Sequence, residues 1–193
     1  MSSAEKALSL REAREVGLRV VEKLRPFCDR IEIAGSIRRQ KPWVNDVEIV
    51  LIPKSEKRER QVLVQAADLW TADVYRTEIE VVRDPGYAVA VTELAVTIVR
   101  GVKLGEAKYT QILVEGGTKV DLFTARPENW GYIFAIRTGS HEYSQGLLAR
   151  GNRLGLKGVE GMWTRFGKPI EVREEKEVFS ILGIRYVPPT ERG

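Results

Sequence analysis

"IAGSIRRQKPWVNDVEIVLIP", residues 33–53, decides how this chain is read. Two apolar runs flank a Gly35-Ser36 pair, the arginines Arg38 and Arg39, and a short polar stretch, and the second run opens with Asp46 and Glu48. Residues two apart in a strand share a face. Asp46 and Glu48 therefore project together, while Val47, Ile49 and Leu51 point the other way into a core. Gly35 lets backbone approach a ligand closely. The segment after it could open a helix, whose free N–H groups favour phosphate. Ser36 adds a hydroxyl, and one of Arg38 and Arg39 suits a bidentate grip on a triphosphate.

A third acid, Asp121, lies in "KVDLF", residues 119–123. If its strand neighbours the first, three carboxylates converge and repel one another unless divalent cations sit among them. Hard oxygen ligands suit Mg²⁺ or Mn²⁺. Two such ions make a phosphoryl-transfer site. Each part taken singly is bland, since Asp-x-Glu on a strand is more often a solvated face. It is the conjunction that points to chemistry.

Composition sets the frame. The chain has 193 residues, 43% of them hydrophobic, with 31 Lys+Arg against 27 Asp+Glu for a net charge of +4. That is enough for a proper core, and the basic excess leans towards a polyanionic partner. A single cysteine, Cys28, excludes an internal disulfide, and a single histidine, His141, excludes a His-rich metal site. No signal-peptide core or membrane-length apolar run is present, so the expected location is soluble, intracellular and cytoplasmic, away from any membrane.

The spacing of Ala13, Val16, Val20 and Leu24 predicts an amphipathic helix over residues 2–27, stopped near Pro26. Strands are expected at 30–36 and 46–53, a charged connection at 54–61, and a helix over 62–70. Residues 78–83, 87–103, 109–115 and 118–125 all read as β, with Gly116-Gly117 as a hairpin turn. Helices follow at 130–140 and 141–158, and a short one within 174–189. The fold class is α+β: a mixed sheet with helices over residues 1–125, then a smaller α+β piece over 126–193.

"GSIRR…DVEI" and "KVDLF" resemble the metal-binding motifs of the nucleotidyltransferase superfamily, and more narrowly of the X-family DNA polymerases related to DNA polymerase beta. "WGYIFAIRTGSHEYSQGLLARGNRLGLKG" is similar to that family's Thr-Gly-Ser helix opening, and the end of the chain, "KPIEVREEKEVFSILGIRYVPPTERG", to its C-terminal acidic helix and Tyr-x-x-Pro-x-x-Arg. The resemblance implies a nucleotidyltransferase palm followed by a thumb-like subdomain. It implies DNA polymerase activity: extension of a DNA primer/template with dNTP, in repair or replication. Asp46, Glu48 and Asp121 would be the catalytic carboxylates and hold two Mg²⁺ or Mn²⁺ ions. Gly35, Ser36, Arg38, Arg39, Thr138, Gly139, Ser140 and His141 would contact the nucleotide. Lys103, Lys108, Lys119, Arg137, Arg150 and Arg153 would contact DNA. The amino-terminal lyase domain and the fingers module are expected to be missing, and the protein to act as a monomer.

The sequence departs from the family pattern at Glu48, where Asp is common, and at Ile136-Arg137, where an aromatic pair usually stands beside the sugar. Leu148 cannot hydrogen-bond a template base. Trp43, between Arg39 and Asp46, is the tryptophan marked for function. Two other readings stand beside this one: a nucleotidyltransferase using another acceptor (an RNA 3′-end, a protein or a small molecule), and a noncatalytic nucleic-acid-binding protein.

Overall fold

The computed structural model of the chain describes residues 7–65, 74–101 and 107–193. A two-residue strand, β1 (Leu8–Ser9), leads into helix α1 (Leu10–Leu24). Ser9 caps it reciprocally: the Glu12 N–H donates to the Ser9 hydroxyl at 3.3 Å, and the Ser9 N–H donates to the Glu12 carboxylate at 2.9 Å. Ala13, Val16, Val20 and Leu24 are buried, as their spacing predicts.

Then come β2 (Cys28–Ile33), the single helical turn α2 (Gly35–Arg38), β3 (Trp43–Val44) and β4 (Val47–Pro53). Next are β5 (Ser55–Gln65), β6 (Val74–Arg83), α3 (Pro85–Leu94), β7 (Thr97–Arg100), β8 (Tyr109–Leu113) and β9 (Lys119–Thr124). Five strands form one mixed sheet in the order β2-β4-β9-β8-β7. Within it β4 and β9 run parallel and every other neighbouring pair antiparallel. Strands β1 and β3 form a small ladder of their own, Ser9 opposite Trp43. The hairpin between β8 and β9 turns on Gly116 and Gly117, whose φ of 86° and 77° favour glycine at both positions.

Helices α1 and α3 lie over one face of the sheet, where Val47, Ile49, Leu51, Val120 and Leu122 are buried with Val20, Leu24 and Val91. The opposite face carries Val50, Ile52 and Phe123, packed on Trp130 and Phe134 of α4 (Trp130–Thr138). Burying a side chain such as Phe134 contributes about 1.5–3 kcal/mol. The remaining elements are α5 (His141–Arg153), a three-stranded antiparallel sheet of β10 (Lys157–Val159), β11 (Met162–Arg165) and β12 (Lys168–Ile170), and α6 (Glu175–Ile181). Their core includes Tyr132, Ala135, Leu147, Trp163, Val178 and Phe179. Helix α4 therefore belongs to two cores, giving Trp130 and Phe134 to the sheet and Tyr132 and Ala135 to the C-terminal part.

Two stretches differ from the sequence expectation. Residues 55–65 form a strand, neither a charged connection nor the start of a helix. The reason is pairing: β5 meets β6 in a long antiparallel ribbon that sets Arg58 opposite Glu80 and Arg60 opposite Glu78. The remainder of the expected helix, with Trp70, lies outside the described residues. Residues 85–94 form a helix where strand was expected. Asp84 caps it by accepting from the Gly86 N–H at 2.8 Å, Pro85 opens it, and Tyr87, Ala90 and Val91 are buried at helical spacing. Only Thr97–Arg100 of that stretch is strand. Among the described residues, no helix is long and apolar enough to cross a membrane.

Candidate functional site

The antiparallel register of β2 and β4 sets Ile33 opposite Ile49, and the Ala34 N–H donates to the Glu48 carbonyl at 2.8 Å. The turn that follows β2 is thereby laid directly against Glu48. Gly35 adopts φ +61°, and a β-carbon there would stand 2.0 Å from Glu48 Oε2. Glycine is required twice over, by conformation and by space. The parallel register of β4 and β9 then sets Glu48 beside Asp121. Asp46 lies two residues before Glu48, just ahead of β4, so two neighbouring interior strands bring three acids to one place.

Their electrostatics follow from that crowding. Burial pushes the Glu48 carboxyl up, and the Asp46 and Asp121 carboxylates push it further, to about 7, although Arg137 and Arg39 pull it down. Asp121 is buried; the Tyr109 hydroxyl donates to its Oδ1 at 3.0 Å and Gln111 Nε2 donates to the same oxygen at 2.8 Å. As they stand, no three acidic, histidine or cysteine side chains among the described residues are drawn close enough together to hold a metal ion. The donor set is nonetheless all hard oxygen, the ligand type that divalent Mg²⁺ or Mn²⁺ takes.

A cleft of about 330 Å³ opens beside these acids, lined in part by Ser36, Arg39, Lys41, Trp43, Asp46 and Glu48. Trp43 is 68% exposed there. Arg39 Nη1 donates to the Thr138 carbonyl at 2.7 Å, while its Nε is buried without a hydrogen-bond partner. Arg38 turns the other way. Its guanidinium donates to the Thr138 hydroxyl at 2.7 Å and to both carboxylate oxygens of Glu175, at 2.5 and 2.8 Å. Arg38 also lies over the Phe134 ring at 3.9 Å. The two arginines thus divide: Arg39 lines the cleft and Arg38 ties the sheet to α6.

The segment after α4 is brought to the same place. Thr138 is fully buried between the arginines. Gly139 ends α4, and Ser140 caps α5 by accepting from the Tyr143 N–H at 3.1 Å. The Ser140 N–H donates to the Arg192 carbonyl at 2.9 Å. His141 is exposed at the first position of α5. Arg137 is exposed, with its guanidinium over the Phe123 ring at 3.9 Å. Lys119 stands two residues before Asp121 on β9, partly exposed. Lys108 and Arg153 are exposed, whereas Arg150 donates through Nε to the Leu182 carbonyl at 2.8 Å and so is tied to the end of α6. Lys103 lies outside the described residues. Ile136 and Leu148 pack against the C-terminal core.

Sequence reasoning missed four contributors. Tyr109 and Gln111 hold Asp121, Lys41 lines the cleft, and Glu175 anchors Arg38. The first two were missed by one residue: counting outward from Gly116-Gly117 would pair Ile112 with Asp121, but the turn spans residues 115–117, with the Val114 N–H donating to the Thr118 carbonyl at 3.0 Å, and so sets Gln111 opposite Asp121. No local pattern announces the long-range partner of Glu175.

Residues 135–193 match the family model of the DNA polymerase beta thumb. No curated protein matches the chain. The C-terminal third is accordingly a thumb-like part on a mixed α/β molecule, and the match connects the chain with DNA binding and with polymerase-related function.

Proposed function

We propose that this chain is a DNA nucleotidyltransferase that adds dNMP from dNTP to a primer 3′-hydroxyl and releases pyrophosphate. The observation that carries the reading is the register: β4 and β9 set Glu48 beside Asp121, under the Gly35-Ser36 turn and against a helix that leads into the thumb-like part. In this reading residues 1–125 form the palm. Asp46, Glu48 and Asp121 would hold two divalent cations, which would supply charge neutralisation at the triphosphate and a more acidic 3′-hydroxyl.

The chain's own residues do the rest. Ser36 and Arg39, facing the cleft, bind the phosphates of the incoming nucleotide, and Lys41 adds a second positive charge there. Asp121 is the acid that receives the primer end, because it lies on the strand that also carries Lys119, a cation suited to the primer backbone. Arg38 serves the reaction through place rather than contact, since its pairing with Thr138 and Glu175 holds the Thr138-Gly139-Ser140 segment beside the cleft. The reaction is in-line attack of the 3′-oxygen on the α-phosphorus, with the bond to the β-phosphate's bridging oxygen breaking.

The test is extension of a labelled DNA primer, with and without a template strand, in Mg²⁺, in Mn²⁺ and in chelator. Cation-dependent addition of dNMP is the expected result. No addition to any DNA primer under any cation, by folded protein, would overturn the assignment. Transfer of NMP to RNA instead would move the acceptor.

A further inference from the structure

Asp121 is the most buried of the three acids, and its two side-chain hydrogen bonds among the described residues fall on one oxygen. The Tyr109 hydroxyl and Gln111 Nε2 donate to Oδ1, at 3.0 and 2.8 Å, and no hydrogen bond among the described residues falls on Oδ2. Both donors come from β8, whose register sets Gln111 directly across from Asp121 and Tyr109 across from Phe123. Each donor is itself held. The Tyr109 ring stacks on Phe123 with centroids 5.1 Å apart, and Phe123 also carries the Arg137 guanidinium at 3.9 Å. Gln111 is kept beside Asp121 by the pleat of the sheet.

We infer that Tyr109 and Gln111 are positioning residues for the reaction: by occupying Oδ1 they fix the plane of the Asp121 carboxylate and leave Oδ2 as the oxygen offered to a divalent cation. This rests on the reading of Asp46, Glu48 and Asp121 as the metal acids. A carboxylate already ordered loses less rotational freedom when a cation binds than one that must be ordered by it. Placing both donors on one oxygen, rather than one on each, leaves the lone pairs of the second oxygen for the site. Hydrogen bonds to ligating carboxylates are commonly worth about 10–100-fold in metal affinity or activity. The plainer reading is that a buried carboxylate simply needs partners for the sake of the fold. The two readings differ in what they predict for cation binding.

Tyr109→Phe removes the hydroxyl and keeps the ring on Phe123, and Gln111→Leu removes the donor and keeps most of the volume. Three measurements apply to each variant and to the pair: binding of Mn²⁺ alone, followed by the resonance of the free ion; single-nucleotide insertion on a primed template; and melting temperature. Each variant is expected to weaken Mn²⁺ binding about tenfold. Insertion should show lower kcat, little change in KM for dNTP, and a higher Mg²⁺ concentration for half-maximal rate. The double variant should lose less than the product of the singles, because both donors act on one oxygen. Unchanged Mn²⁺ affinity and kcat, whatever the melting temperature does, would make the two bonds structural and overturn the inference. Wild-type protein that binds Mn²⁺ alongside variants that match it sinks the positioning role alone. Wild-type protein that binds no Mn²⁺ sinks the metal reading, and the positioning role with it.

Discussion

Two glutamates, Glu48 and Glu175, differ in the balance of charge around them: acids outweigh the nearby Arg39 and Arg137 at Glu48, whereas arginines dominate at Glu175. Glu48 sits among acids, with Asp46 and Asp121 for neighbours, and its carboxyl is pushed up to about 7 by burial and by those charges. Glu175 is more buried still, with its side chain 8% exposed. Burial alone would push it up as well, but hydrogen bonds and charge from Arg38 and Arg192 outweigh that and bring it down to about 2. Arg192 Nη1 donates at 2.6 Å, Arg38 at 2.5 and 2.8 Å, and the Tyr186 hydroxyl at 3.2 Å. In the proposed reading, the difference separates a carboxylate fully paired within the fold from one whose remaining charge divalent cations would meet.

The comparison breaks most visibly at Asp121. If the acids around Glu48 await cations, Asp121→Asn should cut nucleotide incorporation about a thousandfold or more while leaving the circular dichroism spectrum and melting curve near wild type. Incorporation near the wild-type rate would end the two-cation assignment.

At Glu175 the loss should appear in stability instead. Glu175→Gln strands Arg192, whose side chain is fully buried, and should cost about 3–5 kcal/mol in urea unfolding. The same contact sets a pH dependence. The folded carboxyl lies at about 2, below its ordinary value of 4.5, so its contribution is complete above about pH 4.5 and is lost as pH falls towards 2. Wild-type stability should therefore fall through that window, and Glu175→Gln should flatten the fall. A variant as stable as wild type at pH 7 would show that the contact is held by packing alone.

The adjacent arginines carry the same contrast at smaller size. Arg39→Ala should raise KM for the nucleotide and lower kcat, changing kcat/KM by about 10–100-fold, because a charged hydrogen bond is at stake. Arg38→Ala should chiefly lower the melting temperature. The reverse pattern would exchange their roles.

The smallest effect has the opposite sign. In metal-free protein Glu48→Gln should raise stability by about 1 kcal/mol, since it relieves repulsion among like charges. Two Glu→Gln changes that shift stability in the same direction would refute the comparison outright.

What the sequence disclosed follows the range of the forces involved. The face shared by Asp46 and Glu48 is a local consequence of strand periodicity, and the glycine turn before them is equally local. The pairing of Glu48 with Asp121 needed one assumption, that β4 and β9 are neighbours, and the sheet order supplies it. The misread stretches are those where tertiary pairing overrides local composition. The charged run of β5 becomes a strand because β6 offers it a long antiparallel ladder of backbone partners. The largely apolar run 85–94 becomes a helix because Asp84 and Pro85 start one and α1 offers a surface for Tyr87, Ala90 and Val91. Glu175 was legible as part of an acidic helix, but its partner Arg38 lies 137 residues away. Distance of that kind leaves no trace in spacing.

The ribbon of β5 and β6 leaves the sheet at Lys54 and returns at Asp84, and the Asp84 N–H donates to the Lys54 carbonyl at 2.9 Å. The excursion therefore begins and ends at the same point. In chain-closure terms the ribbon is a detour whose length the sheet does not register, because a short turn from 54 to 84 would reconnect the path across a hydrogen bond already made. Evolution can lengthen, shorten or redecorate such a detour while the strands that carry Glu48 and Asp121 keep their register.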